Sequence, residues 1–193
     1  ETYPSSGILN ITLGKCYFDL GQMEFAKSNF IKATEYSPLW NIGFIMLGQV
    51  YSLQGDLDEA INSYKKALKI KPDCAETYYN MGNALKHKGN FEAAIESYQQ
   101  ALRIKPDYAD AYNNMGSALN ARGDIDGAIQ SYKQALGIKP DYADTYYNMG
   151  NALMNRGDVN SAVESYKKSL KAKPDCAEAV SYTHLTLPTI LLV

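Results

Sequence analysis

Six of the chain's seven prolines, Pro4, Pro38, Pro72, Pro106, Pro140 and Pro174, recur every 34 residues, and only Pro188 stands outside the register. A period of that length, held without a slip, specifies a stack of supersecondary units rather than one closed core, because each unit is too small to bury its apolar face alone. Function is then to be sought on the surface that stacking creates.

Other residues keep the same beat. Gly14, Gly48, Gly82, Gly116 and Gly150 form one series, and Gly21, Gly55, Gly89, Gly123 and Gly157 a second. Ala26, Ala60, Ala94, Ala128 and Ala162 form a third, with Phe30, Tyr64, Tyr98, Tyr132 and Tyr166 supplying an aromatic four residues later. Full units run 7–40, 41–74, 75–108, 109–142 and 143–176. Residues 1–6, with Pro4 in register, read as the tail of an earlier unit, and 177–179 as the start of a sixth.

Within 75–108, Tyr78, Met81, Gly82 and Leu85 recur at three- and four-residue spacing, which predicts an amphipathic helix. Gly89 follows as a left-handed cap and Asn90 is placed to cap a second helix. That helix carries Phe91, Ala94, Ile95, Tyr98, Ala101 and Leu102 on one face and is stopped by Pro106. Each unit is therefore a helix, a tight glycine turn and an antiparallel helix. The glycines of the Gly82 series lie inside helices, where each costs about 1 kcal/mol relative to alanine. Their recurrence predicts a close helix–helix approach, for which the in-register alanines of the second helix are the expected partners. Gly82→Leu is expected to overpack that contact.

The 34-residue unit, with its aromatic, Leu or Met, Gly, Ala, Phe or Tyr and Pro positions, resembles the tetratricopeptide repeat over 7–176. Asn10 replaces the first aromatic in the first unit and Ser169 the small alanine in the last. The resemblance implies an all-α, right-handed solenoid whose first helices line a concave groove that binds peptides or partner proteins.

Charge narrows the partner class. The formal net charge is −2 and its signs alternate along the helices, leaving no basic face to track phosphates, so nucleic acid is not expected. Cys16, Cys74 and Cys176 read as free thiols, the latter two standing three units apart, beyond disulfide reach. This is compatible with a reducing, cytoplasmic setting. No membrane span or cofactor is expected.

Once the packing positions are removed, asparagine and tyrosine dominate the groove face of the first helices. The candidates are Tyr79, Asn80 and Asn83, then Asn113 and Asn114, then Tyr147, Asn148 and Asn151. Asn80, Asn114 and Asn148 share one register, and a side-chain amide both donates and accepts, which suits it to grip an extended peptide backbone. The pattern resembles the asparagine ladder in the repeat arm of O-linked N-acetylglucosamine transferases, which implies, as an alternative, the substrate-recruiting arm of a larger enzyme. The competing reading is a solvated polar face copied by duplication, since 77–85 and 145–153 are the same nonapeptide. The first two units differ, with Ile8, Ile11, Thr12 and Phe18, then Ile42, Ile45 and Met46, at groove positions. These read either as an apolar pocket or as a surface packed against preceding units. Lys15 and Lys86 alone do not form the patterned cationic set a carboxylate clamp needs.

No catalytic constellation is expected. His87 lacks Cys or His at ligand spacing. The acids near the turns, such as Asp56, Asp58 and Glu59, stand where helix N-termini favour carboxylates and read as caps. From Val180 the repeat pattern dissolves, and Val180–Thr189 resembles a translated sequencing adapter rather than native protein.

Overall fold

The computed structural model describes residues 4–173, and among these every regular element is an α-helix. The helices are α1 (Pro4–Asp19), α2 (Met23–Tyr36), α3 (Asn41–Gln54), α4 (Leu57–Ile70), α5 (Ala75–His87), α6 (Phe91–Ile104), α7 (Ala109–Arg122), α8 (Ile125–Ile138), α9 (Ala143–Arg156) and α10 (Val159–Ala172). The chain divides into two compact units, the first ending at Ile104 and the second beginning at Lys105. In the first unit α1 pairs with α2, α3 with α4 and α5 with α6, while α2 packs on α3 and α4 on α5. In the second, α7 pairs with α8 and α9 with α10, and α8 packs on α9.

The second helices form because their apolar residues fall on one face. In α4, Ala60, Ile61, Tyr64, Ala67 and Leu68 are all buried while the lysines between them face water. Each hairpin is closed by a left-handed glycine, as at Gly89 with φ +81°, a conformation that costs glycine no Cβ clash. The following Asn90 N–H reaches back to the Leu85 carbonyl at 2.9 Å, and its side-chain oxygen accepts from Ala93 N–H at 3.2 Å. One residue thus closes the first helix and caps the second.

Two expectations change. The in-helix glycines do make room for a neighbour, but that neighbour is the aromatic of the second helix, not the alanine. A Cβ at Gly14, Gly48, Gly82, Gly116 or Gly150 would lie 2.5 to 2.7 Å from Cε1 of Phe30, Tyr64, Tyr98, Tyr132 or Tyr166. The ring edge lies over the glycine Cα, a space no side chain can share. The alanines Ala26, Ala60, Ala94, Ala128 and Ala162 are fully buried, so smallness matters there too.

Pro4 stands in the first turn of α1. A first-turn proline is tolerated because its missing N–H would have had no helical partner. Finally, the acids at the helix starts do not act uniformly as caps. Asp124 accepts from Gly127 N–H and Asp158 from Ser161 N–H, whereas the Asp56 side chain makes no capping bond. Cys176, residues 177–179 and the adapter-like segment lie outside the described residues.

Candidate peptide-binding faces

In the first unit the candidates sit on α5. Tyr79 packs on Tyr98 with ring centroids 6.1 Å apart, and the Tyr98 hydroxyl donates to Asn83 Oδ1 at 2.8 Å. Burial drives the Tyr98 phenol well above its ordinary range. Asn83 therefore orients a core tyrosine, a role that groove-facing register alone did not disclose. Asn80 is half-buried, and its Nδ2 is fully enclosed with no hydrogen-bond partner. Lys86, further along the helix, is half-buried, and burial pulls its ammonium pKa down.

The apolar positions of the first two repeats resolve differently. Met46, with Leu47, Val50, Ala26 and Phe30, forms a core cluster, and Phe18 and Ile42 pack against it. Ile11 and Ile45 are buried, while Ile8 and Thr12 are exposed.

In the second unit the asparagines form a connected amide network. Asn113 on α7 is buried, and its Oδ1 accepts from Thr145 Oγ1 and from Asn148 Nδ2, both at 3.1 Å. Its own Nδ2 donates to Asn114 Oδ1 at 3.3 Å. Lower on the same helices Asn155 Nδ2 donates to Asn120 Oδ1 at 3.3 Å. Within the hairpins, Tyr166 donates to Asn151 Oδ1 at 2.8 Å and packs against Tyr147 at 5.9 Å, and the Tyr132 hydroxyl lies 3.3 Å from Ser117 Oγ.

The network accounts for the enclosed donor on α5. Asn148 takes its acceptor from the residue 35 positions earlier, Asn113; for Asn80 that residue is Ile45, which offers none. Sequence register alone does not single out Thr145, because its hydroxyl is engaged only through Asn113, 32 positions earlier on the neighbouring first helix.

Among the described residues there is no cluster of His, Cys, Asp and Glu able to hold a metal ion. None of the described helices is long and apolar enough to cross a membrane. His87 is exposed.

Helix hairpins of one 34-residue period, built on glycine–aromatic contacts and carrying polar first-helix faces, define an all-α repeat protein of the solenoid class. The family model described as TPR repeat matches 48–89, 82–120 and 116–157, and models described as Tetratricopeptide repeat match 9–38 and 143–176. The chain belongs to the tetratricopeptide repeat family. Among solved structures it is similar to one of MamA protein, at 28% identity and a TM-score of 0.82, over 91% of this chain and 96% of that one. A second MamA structure is 30% identical with a TM-score of 0.80, over 86% and 97% of the two chains. YrrB, described as a TPR protein with an unusual peptide-binding site, shares the fold at 22% identity and a TM-score of 0.77, over 91% and 90%. Among curated proteins none matches.

Proposed function

We propose that this chain is a non-catalytic interaction scaffold that holds an extended segment of a partner protein against the asparagine- and tyrosine-bearing faces of its first helices. The observation that carries the reading is the fixed amide array of the second unit. Asn148 is held by Asn113, which in turn holds Asn114, so half-buried amides stand pre-oriented along two adjacent first helices. Ordering these side chains in advance lowers the entropy cost of gripping a peptide backbone. Tyr147, braced on Tyr166, supplies apolar contact beside them. The description of YrrB as carrying a peptide-binding site on the same fold is consistent with this use.

The test is selection from a randomised peptide library, followed by titration of a selected peptide against the parent chain and against a variant with Asn80, Asn114 and Asn148 all changed to Ala. Loss of a few peptide-backbone hydrogen bonds at about 1 kcal/mol each predicts a weakening on the order of ten- to a hundredfold. Unaltered affinity would remove these amides as the binding device.

A further inference from the structure

Within the second unit α9 packs against both α8 and α10, and a cavity of about 400 Å³ opens between the three. That volume falls in the range of ligand sites. Its floor is apolar: Ile129 and Leu153 are buried and Met149 is half-buried. Met149 and Leu153 each stand two residues from Asn151, about 200° round the helix, so the cavity and Asn151 lie on opposite sides of α9.

Charge sets this groove apart from its equivalents. Around the cavity stand Lys133 on α8, Arg156 on α9 and Lys168 on α10, with Glu164 the one acid among the residues lining it. At the same register positions, the groove of α2 and α4 over α3 carries Lys27 and Lys66 against Asp58 and Glu59. That of α4 and α6 over α5 carries Lys65 and Lys88 against Glu92 and Glu96. Both are balanced. Relative to the second of them, two exchanges make the excess of positive charge: Asn160 stands in place of Glu92, and Lys168 in place of Gln100.

Not all of these charges are available to a ligand. Arg156 is held by Asp126 and Asp158, at 3.1 and 3.2 Å, and Glu164 is taken by Lys167 at 3.0 Å. Lys133 and Lys168 are exposed, and neither is bonded to an acid among the described residues. The Lys168 ammonium lies 5.8 Å from the centroid of the Tyr146 ring, which steadies the side chain without neutralising it. An apolar floor between two ammoniums, one on each flanking helix, is complementary to an aliphatic side chain with carboxylates on both sides.

The chain itself does not supply such a segment in free form. Leu, Ile, Val or Met falls directly between two acids only at 56–58 and 124–126, and there Asp58 and Asp126 are already bonded to Lys88 and Arg156.

We infer that the cavity between α8, α9 and α10 docks a short segment of a partner protein in which an aliphatic residue is flanked by acids, its side chain on Met149 and Leu153 and its carboxylates on Lys133 and Lys168. This surface does not depend on the role of the amide faces.

The probe is an acetylated and amidated peptide, Ser-Glu-Leu-Glu-Ser, titrated against the full chain at low salt with the Met149 methyl resonance as reporter. One control peptide carries Gln for both Glu, the other Ala for Leu. Loss of two exposed ion pairs predicts about tenfold weaker binding of the first, and loss of the buried branch about tenfold or more for the second. Lys133→Gln combined with Lys168→Gln should abolish the preference for Glu over Gln, while Lys65→Gln, at the equivalent place in the first unit, leaves it unchanged. Ser161→Phe should fill the cavity and exclude every peptide; α2 already carries an aromatic, Phe25, at that position. Equal binding of the Glu and Gln peptides, a preference that survives the two lysine changes, or an unshifted Met149 methyl would each overturn the inference. So would self-association in sedimentation that the lysine changes abolish, since the occupant would then be a second copy. Should Ser161→Phe fail to fold, the lysine variants, both at exposed positions, and the methyl shift still decide the matter.

Discussion

A Cβ built on Gly82 would stand 2.7 Å from Cε1 of Tyr98, closer than real side-chain contacts come. The same relationship joins each in-helix glycine to the aromatic sixteen residues later, so it sets how near the two helices of every hairpin lie. Gly82→Ala gains about 1 kcal/mol of helix propensity but must displace a fully buried ring, at about 1–3 kcal/mol. Net destabilisation is expected in urea unfolding, and Gly82→Leu should be worse. In the pair Gly82→Ala with Tyr98→Leu the loss should be less than the sum of the single changes. Strict additivity would show that ring and glycine do not share the space.

Tyrosine burial makes the array sensitive to alkali. Desolvation pushes the Tyr132 phenol from 10.0 up to about 12, and Tyr64 and Tyr98 rise in the same direction for the same first cause. A folded-state pKa above the unfolded one means that the stabilisation is complete below pH 10 and is lost as pH rises towards the folded value. Unfolding midpoints should therefore fall between pH 10 and about 12. Tyr132→Phe should flatten that fall, at the expense of the Ser117 contact; Phe30 shows that the ring site accepts the change. An unchanged alkaline slope in the variant would contradict the desolvation account.

The period of Pro38, Pro72, Pro106 and Pro140 and the apolar spacing along α4 and α6 made the helix hairpins legible, because helix stops and amphipathic stripes are local properties. The glycine's true partner was not legible. Ala94 and Tyr98 both lie on the buried face of α6, and only the lateral position of the ring decides which one covers Gly82. The candidate amides were found by register, but register does not tell an amide facing solvent from one spent internally. Asn83 and Asn151 hold tyrosine hydroxyls, and Asn113 is buried, through contacts fifteen or more residues apart that no local pattern encodes.

Caps offer a comparison inside one chain. Asp124 accepts from Gly127 N–H at 3.0 Å, whereas Asp56, in the same register, makes no side-chain cap bond. Asp124→Ala should cost about 0.5–2 kcal/mol and Asp56→Ala distinctly less, because only the first removes a partner from an otherwise unsatisfied helix N–H. Thermal unfolding of the two single variants measures the difference, and equal losses would mean that general charge at the helix start, not the hydrogen bond, is what counts.

Asn113 and Asn148 separate stability from binding. Asn113 is 6% exposed and is the acceptor for Thr145 Oγ1, itself fully buried. Asn113→Ala strands that hydroxyl and the Asn148 amide, and an unsatisfied buried polar group costs about 1–3 kcal/mol. Adding Thr145→Val removes the stranded hydroxyl and should return part of the loss, whereas Asn148→Ala removes only a half-exposed donor and should change unfolding little. In peptide titration the order reverses for the proposed grip: Asn148→Ala weakens binding while the fold stays intact. Urea midpoints and affinities measured on the same set of variants check both halves, and an Asn113→Ala chain as stable as its parent would show that the buried amide is not a keystone of the second unit.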